Sequence, residues 1–262
     1  MERTGVLHME LIDHVFSKCC QQQILIKEDI LNMMEQFGLI VKIITLTSPT
    51  NEIKRYFVVP CQLKTPPKTS LEMELSPSDP CPLYLHFLGG FVPHGFFWQL
   101  VSRCSRWCAE SKFKHAQPPK VFPAASEFII KKECTHQLIL LCKRRFIKVI
   151  LTHSQPEHGA SLAEAREVAI LVRTFLEKTV QDLRHEHSWL SNFNCDFCVL
   201  CPDCLQKEEA CCIHDVVSCD HEDCMCFLEI LEGGKLKHCQ KTLGVKERTV
   251  VALEKWFAAD KG

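Results

Sequence analysis

The sequence predicts an α+β fold, and three observations predict it. Apolar residues recur at helical spacing near the start of the chain and again over 161–187. Short runs of branched and aromatic residues stand apart from those stretches as strands do. Glycine and proline fall between the segments, where turns are needed.

Met9, Ile12, Val15 and Phe16 mark a first helix, and Ile30, Leu31, Met33, Met34 and Phe37 a second. Gly38 follows where a left-handed cap closes a helix at no steric cost. The run 39–46 reads as a strand, Ser48-Pro49-Thr50-Asn51 as a turn and 56–59 as the return strand. Two helices and a hairpin outline a winged-helix-like unit over 1–62. Proline with Ser, Thr and Lys dominates the next stretch, so 63–82 is read as a linker.

A second domain is expected over 83–190. It begins with a strand at 84–88, broken by Gly89-Gly90. From Pro93 a helix starts whose apolar face carries Phe96, Phe97, Leu100, Val101, Cys104 and Trp107. That face reads as core, with Phe96, Leu100 and Trp107 as a candidate contact surface. After a Pro-rich loop at 118–123 come three strands of a short antiparallel meander, 128–130, 138–142 and 146–151. The helix over 161–187 has a continuous stripe of Leu162, Ala165, Ala169, Val172, Leu176, Val180 and Leu183. Residues 191–240 form a Cys-rich irregular segment, and 241–262 a C-terminal helix.

Charge excludes the simplest nucleic-acid and membrane-surface readings. Lys and Arg number 31 against 32 Asp and Glu, so there is no basic excess to neutralise phosphates. The cluster Lys143, Arg144, Arg145 and Lys148 reads as a solvated hairpin end. Glu28, Asp29 and Glu35 on the second helix would repel DNA where a recognition helix should present basic or amide side chains. No secretory h-region or membrane span is visible, and a cytoplasmic protein is expected. No phosphate-binding loop, kinase catalytic loop, nucleophile elbow or His-Glu-x-x-His is present, so no catalytic residues are assigned and no nucleotide site is expected.

In a reducing compartment the 18 cysteines are thiols or metal ligands before they are disulfides. Ten of them crowd between Cys195 and Cys239, where the spacing is Cys195-x2-Cys198-x2-Cys201-x2-Cys204. Zinc takes four thiolate or imidazole ligands, and a Cys-x2-Cys knuckle offers two from one turn. The candidate set is Cys201, Cys204, Cys219, His221 and Cys224, with a possible second site from Cys195, Cys198, Cys212 and Cys226. An iron–sulfur cluster is a further reading, although the ferredoxin run has a different final gap and proline position. A metal-free loop of reduced cysteines is the third.

Two stretches resemble the COR module (C-terminal of Roc) of Roco proteins. Thr4-Gly5-Val6-Leu7 leading into Asp29-Ile30-Leu31-Asn32-Met33-Met34-Glu35-Gln36-Phe37-Gly38-Leu39-Ile40 resembles the helix-to-strand passage of COR-A. Leu83-Tyr84-Leu85-His86-Phe87, then Phe91-Val92-Pro93-His94-Gly95-Phe96-Phe97-Trp98-Gln99-Leu100-Val101, is similar to the start of COR-B. The resemblance covers residues 4 to about 187, and includes the order of the two halves. It implies a non-catalytic interaction and dimerisation module of an intracellular signalling protein, which self-associates or docks a Roc-type GTPase domain. The chain departs from the family in having no Roc domain, so it is expected to be a fragment without GTPase activity. Related sequences with a Cys-Pro-x-Cys segment after COR-B add weight to Cys201, Cys204 and His221 as zinc ligands. The alternatives are a surviving part of a Roco GTPase or serine-threonine kinase, and a zinc-containing nucleic-acid-binding protein.

Overall fold

The computed structural model describes residues 5–19, 24–47, 52–65, 75–110, 117–132, 134–153, 162–186, 193–201, 204, 214, 221–222, 224–231, 235–237 and 253–257. In chain order these form β1 (Val6–His8), α1 (Met9–Cys19), α2 (Ile24–Gln36), β2 (Val41–Thr47), β3 (Glu52–Val58) and a 3-10 turn at Pro60–Gln62. Then follow β4 (Leu83–Phe87), α3 (Phe96–Glu110), β5 (Lys120–Phe122), β6 (Ala125–Lys131), β7 (Thr135–Cys142), β8 (Phe146–His153), α4 (Leu162–Glu186), β9 (Cys195–Leu200) and β10 (Phe227–Glu229). The fold is α+β with antiparallel sheets, as the sequence predicts. The turn 48–51 and most of the expected C-terminal helix, apart from 253–257, lie outside the described residues. The chain packs as two compact units, Met1–Glu74 with Pro93–Ile139, and Leu75–Val92 with Leu140–Gly262.

In the first unit β1, β3 and β2 form a three-stranded antiparallel sheet in that order. Ile12 of α1, Leu31 of α2, Ile40 and Phe57 make its core. The apolar stripe of α2 is wider than its buried face, for Met33 and Phe37 are exposed. Gly38 adopts φ +69°. Its amide donates to the Glu35 carbonyl (3.0 Å) and the Leu39 amide to that of Met34 (2.9 Å), the double closure of a glycine-capped helix end. α3 contacts β2 and β6. Phe96 and Leu100 of the candidate contact surface on α3 are fully buried and belong to the core, whereas Trp107 is half-buried.

α3 also buries Gln99, Ser102 and Ser105, three polar residues at helical spacing. Ser105 accepts from the Ile44 amide at 2.9 Å and donates to the Ile44 carbonyl at 2.8 Å. Ser102 reaches the Lys42 carbonyl at 3.0 Å and the Glu35 carboxylate at 2.7 Å. β2 is an edge strand, and these hydroxyls satisfy backbone groups that an edge leaves unpaired. In the same unit β5 pairs antiparallel with β6 and precedes β7 in the strand order β5-β6-β7. The Pro-rich loop thus contains a three-residue edge strand, a place where flanking prolines remove no interior ladder bond.

In the second unit the strand order is β10-β9-β4-β8, followed by β7, whose residues from Leu140 belong to this unit. Leu83, Leu85 and Phe87 alternate into its buried face with Ile147, Val149 and Leu151. α4 buries Val168, Ala169, Val172, Leu176, Val180 and Leu183, nearly the stripe the sequence predicts. Arg184 near its end donates to the Cys195 carbonyl at 2.8 Å. Asp79 is buried and accepts from the amides of Ser76 (2.8 Å) and His153 (3.1 Å) while pairing with His153 Nδ1 at 2.7 Å. Trp256 is fully buried and donates from Nε1 to the Cys81 carbonyl at 2.7 Å. Among the described residues no helix is long and apolar enough to cross a membrane.

Candidate metal centre

The Cys-rich segment begins as a strand. β9 reads Cys-Asp-Phe-Cys-Val-Leu, a short apolar run interrupted only by Asp196 once cysteine is counted as a small hydrophobe. In a strand, residues three apart face opposite sides. Cys195 and Cys198 therefore diverge, whereas a metal knuckle must aim both sulfurs at one point. Cys198 packs with Tyr84 and Phe146, and both thiols are buried. Burial pushes the Cys195 thiol up to about 12 and the Cys198 thiol up as well, so both are neutral thiols in the metal-free chain.

The end of β9 is arranged differently. β10 pairs with it antiparallel, Phe227 opposite Leu200, and the ladder continues one step as the Cys201 amide donates to the Cys226 carbonyl at 2.8 Å. Directly opposed residues share a face with Cβ atoms about 4.5–5.5 Å apart. The ladder thus sets two sulfurs side by side, and Cys204 returns after the two-residue gap to add a third. The Sγ atoms of Cys201, Cys204 and Cys226 all lie within 4.8 Å of one another, with Cys201 buried and the others half-buried. None is in a disulfide. Sulfurs on one tetrahedral zinc are separated by roughly 3.8 Å, the edge that a Zn–S bond near 2.3 Å generates. The cluster is of the right size and donor type to hold a metal ion.

A second group stands nearby in sequence. His214, His221 and Cys224 also place one ligand atom each within a mutual 4.8 Å. Cys224 Sγ is 3.3 Å from His214 Nδ1, and the two imidazole rings lie 4.1 Å apart between centroids. A tight turn joins two members, since the Cys224 amide donates to the His221 carbonyl at 2.9 Å. Glu222 within that turn accepts from the Arg144 amide at 3.1 Å. Met225, between Cys224 and Cys226, packs against the Tyr84, Phe146 and Cys198 cluster.

The predicted ligands are therefore divided. Cys201 and Cys204 come together with Cys226, which the sequence placed in a second site. His221 and Cys224 come together with His214, which was not assigned. Cys195 and Cys198 join neither group, and Cys212 and Cys219 lie outside the described residues. The grouping of Cys226 with Cys201 follows from the β9–β10 register, in which Cys-Phe-Leu-Glu faces Cys-Val-Leu-Cys. No protein-family model and no curated protein matches the chain.

Proposed function

We propose that the chain is a non-catalytic protein-interaction and dimerisation module of the Roco type, its C-terminal segment stapled by a structural zinc on Cys201, Cys204 and Cys226. The first COR-like stretch runs through α2 and its Gly38 cap into β2, the helix-to-strand passage that the resemblance implies, with a winged-helix-like arrangement of helices and hairpin. The second stretch runs through β4 into α3.

The observation that carries the interaction reading is the turn after β4. Leu88 and Phe91 are 57% and 61% exposed, although both are large and apolar. Their backbone is nonetheless fixed. The Leu88 amide donates to the Asn194 carbonyl at 3.0 Å, Gly90 to Phe87 at 3.0 Å and Val92 to Arg144 at 2.7 Å. A rigid turn that holds apolar side chains in water is preorganised for a partner, because little further entropy is lost on docking. The partner is a second copy of the chain, with a Roc-type GTPase domain as the other occupant.

Analytical ultracentrifugation tests the reading. The protein should sediment as a dimer at high concentration, and Leu88→Asp with Phe91→Asp should shift it to monomer without loss of far-UV circular dichroism. A monomer at every attainable concentration, with no binding of a purified Roc domain, would overturn it.

A further inference from the structure

We infer that His214, His221 and Cys224 form a second divalent-metal site, separate from the three-cysteine cluster and suited to zinc or an ion of similar softness. The inference concerns residues that the zinc staple does not use, so it stands whether or not that staple is correct.

Donor chemistry supports it first. Two imidazoles and one thiol converge, and the spread of their ligand atoms, within 4.8 Å, matches what one ion can span. On a tetrahedral zinc with Zn–N near 2.0–2.1 Å and Zn–S near 2.3 Å, a nitrogen and a sulfur are separated by about 3.5 Å. The His214 Nδ1 to Cys224 Sγ distance of 3.3 Å is close to that edge. Imidazoles on one such ion sit about 5 Å apart by centroid, so occupancy opens the 4.1 Å ring pair slightly. The bland reading is a thiol hydrogen-bonded to one imidazole with the other ring stacked beside it. That reading accounts for the Cys224–His214 contact without calling on His221, whose ligand atom converges on the same point.

Local structure supports it independently. The turn from His221 to Cys224 fixes two ligands three residues apart. Glu222 ties that turn to the Arg144 amide. Met225 anchors the following residue to the aromatic cluster. These contacts orient the donors before an ion arrives, as a useful site requires. Binding converts the Cys224 thiol to thiolate and releases its proton to solvent, while both histidines bind as neutral imidazoles.

The two groups differ in donors and in exposure. One has three sulfurs around a buried Cys201, and the other has one sulfur with an exposed His221. The mixed site should therefore give up its ion first to a chelator, whereas the thiolate site behaves as a structural one.

Zinc content of the purified full chain, with a cobalt(II) titration followed by optical absorption, tests the inference. The expected result is two ions per chain and two cobalt phases, one with intense thiolate charge-transfer bands and one with weaker bands of a mixed nitrogen–sulfur site. His214→Ala and His221→Gln should each remove one ion and only the mixed-site phase. Cys201→Ser with Cys226→Ser should remove only the other. One ion lost with the histidine variants and kept by the cysteine variant would support this site while overturning the staple. An unchanged ion count and spectrum in both histidine variants would overturn the second site. So would a single ion lost with either set, which means one shared centre. Because His221 is exposed, its Gln variant is expected to fold, and the wild-type cobalt phases give a readout that needs no variant.

Discussion

Ser105 is an unremarkable residue in the sequence, a serine on the flank of an amphipathic helix. Its hydroxyl serves both polar groups of Ile44, and only 1% of the residue is exposed. Replacement by alanine leaves a buried amide and a buried carbonyl without a partner. Ser105→Ala should therefore destabilise the chain by about 1–3 kcal/mol in a urea unfolding experiment. A change within a few tenths would show that water takes over the hydroxyl's role. Buried thiols give a second residue-scale expectation. Burial raises Cys108 from 9.0 to about 12, and Cys142 and Cys195 to about 12 likewise. Below pH 9 these thiols are neutral in both the folded and unfolded chain. Above it the unfolded thiols ionise while the folded ones resist, so stability is present up to about pH 9 and lost between there and 12. Each contributes a slope on the order of 1 kcal/mol per pH unit. Urea midpoints that stayed level on entering the alkaline range would contradict this, and Cys108→Ala should flatten the fall.

The elements themselves were largely legible, and the exceptions have physical causes. Hydrophobic periodicity located α3 and α4 because each has one wide apolar stripe, and Gly38 located the end of α2 because its cap needs a positive φ. Periodicity reports which face is buried and is silent on what covers it. The polar stripe Gln99, Ser102 and Ser105 looks solvated on a helical wheel, yet Gln99 bonds the end of α2 and the two serines the edge of β2. β9 was missed because its cysteines were read as ligands, when two of them are strand interior. The metal cluster was legible in residue type and only half legible in grouping. Which thiols share a point depends on the β9–β10 register, and spacing along one chain does not contain it. Gly38 also yields a sharp expectation. A Cβ there would meet the Gly95 Cα at 2.9 Å and Trp98 Cδ1 at 3.2 Å, on top of φ +69°. Gly38→Ala should cost about 1–3 kcal/mol, read as a lowered urea midpoint. A neutral effect would mean that the α2 end can shift away from α3.

At the scale of the whole molecule, chemistry-bearing side chains concentrate in the last third. The described part of the unit Leu75–Val92 with Leu140–Gly262 holds both Cys/His groups, the exposed Leu88 and Phe91, and the fully buried Trp256. Lys255 and Trp256 bond the carbonyls of Pro77, Asp79 and Cys81. This unit thus gathers residues more than 170 positions apart in sequence. Such long-range closure is slow to find in folding.

The pairing of Cys201 with Cys226 bears on that search. A hairpin that slips by one residue turns every side chain to the opposite face and can remain fully hydrogen-bonded, so backbone energetics alone discriminate poorly between registers. Sulfurs that meet only when Leu200 sits opposite Phe227 make the alignment chemically legible to an ion. The three-thiol cluster would then act as a proofreader of strand alignment, rejecting misaligned hairpins by failing to close on them.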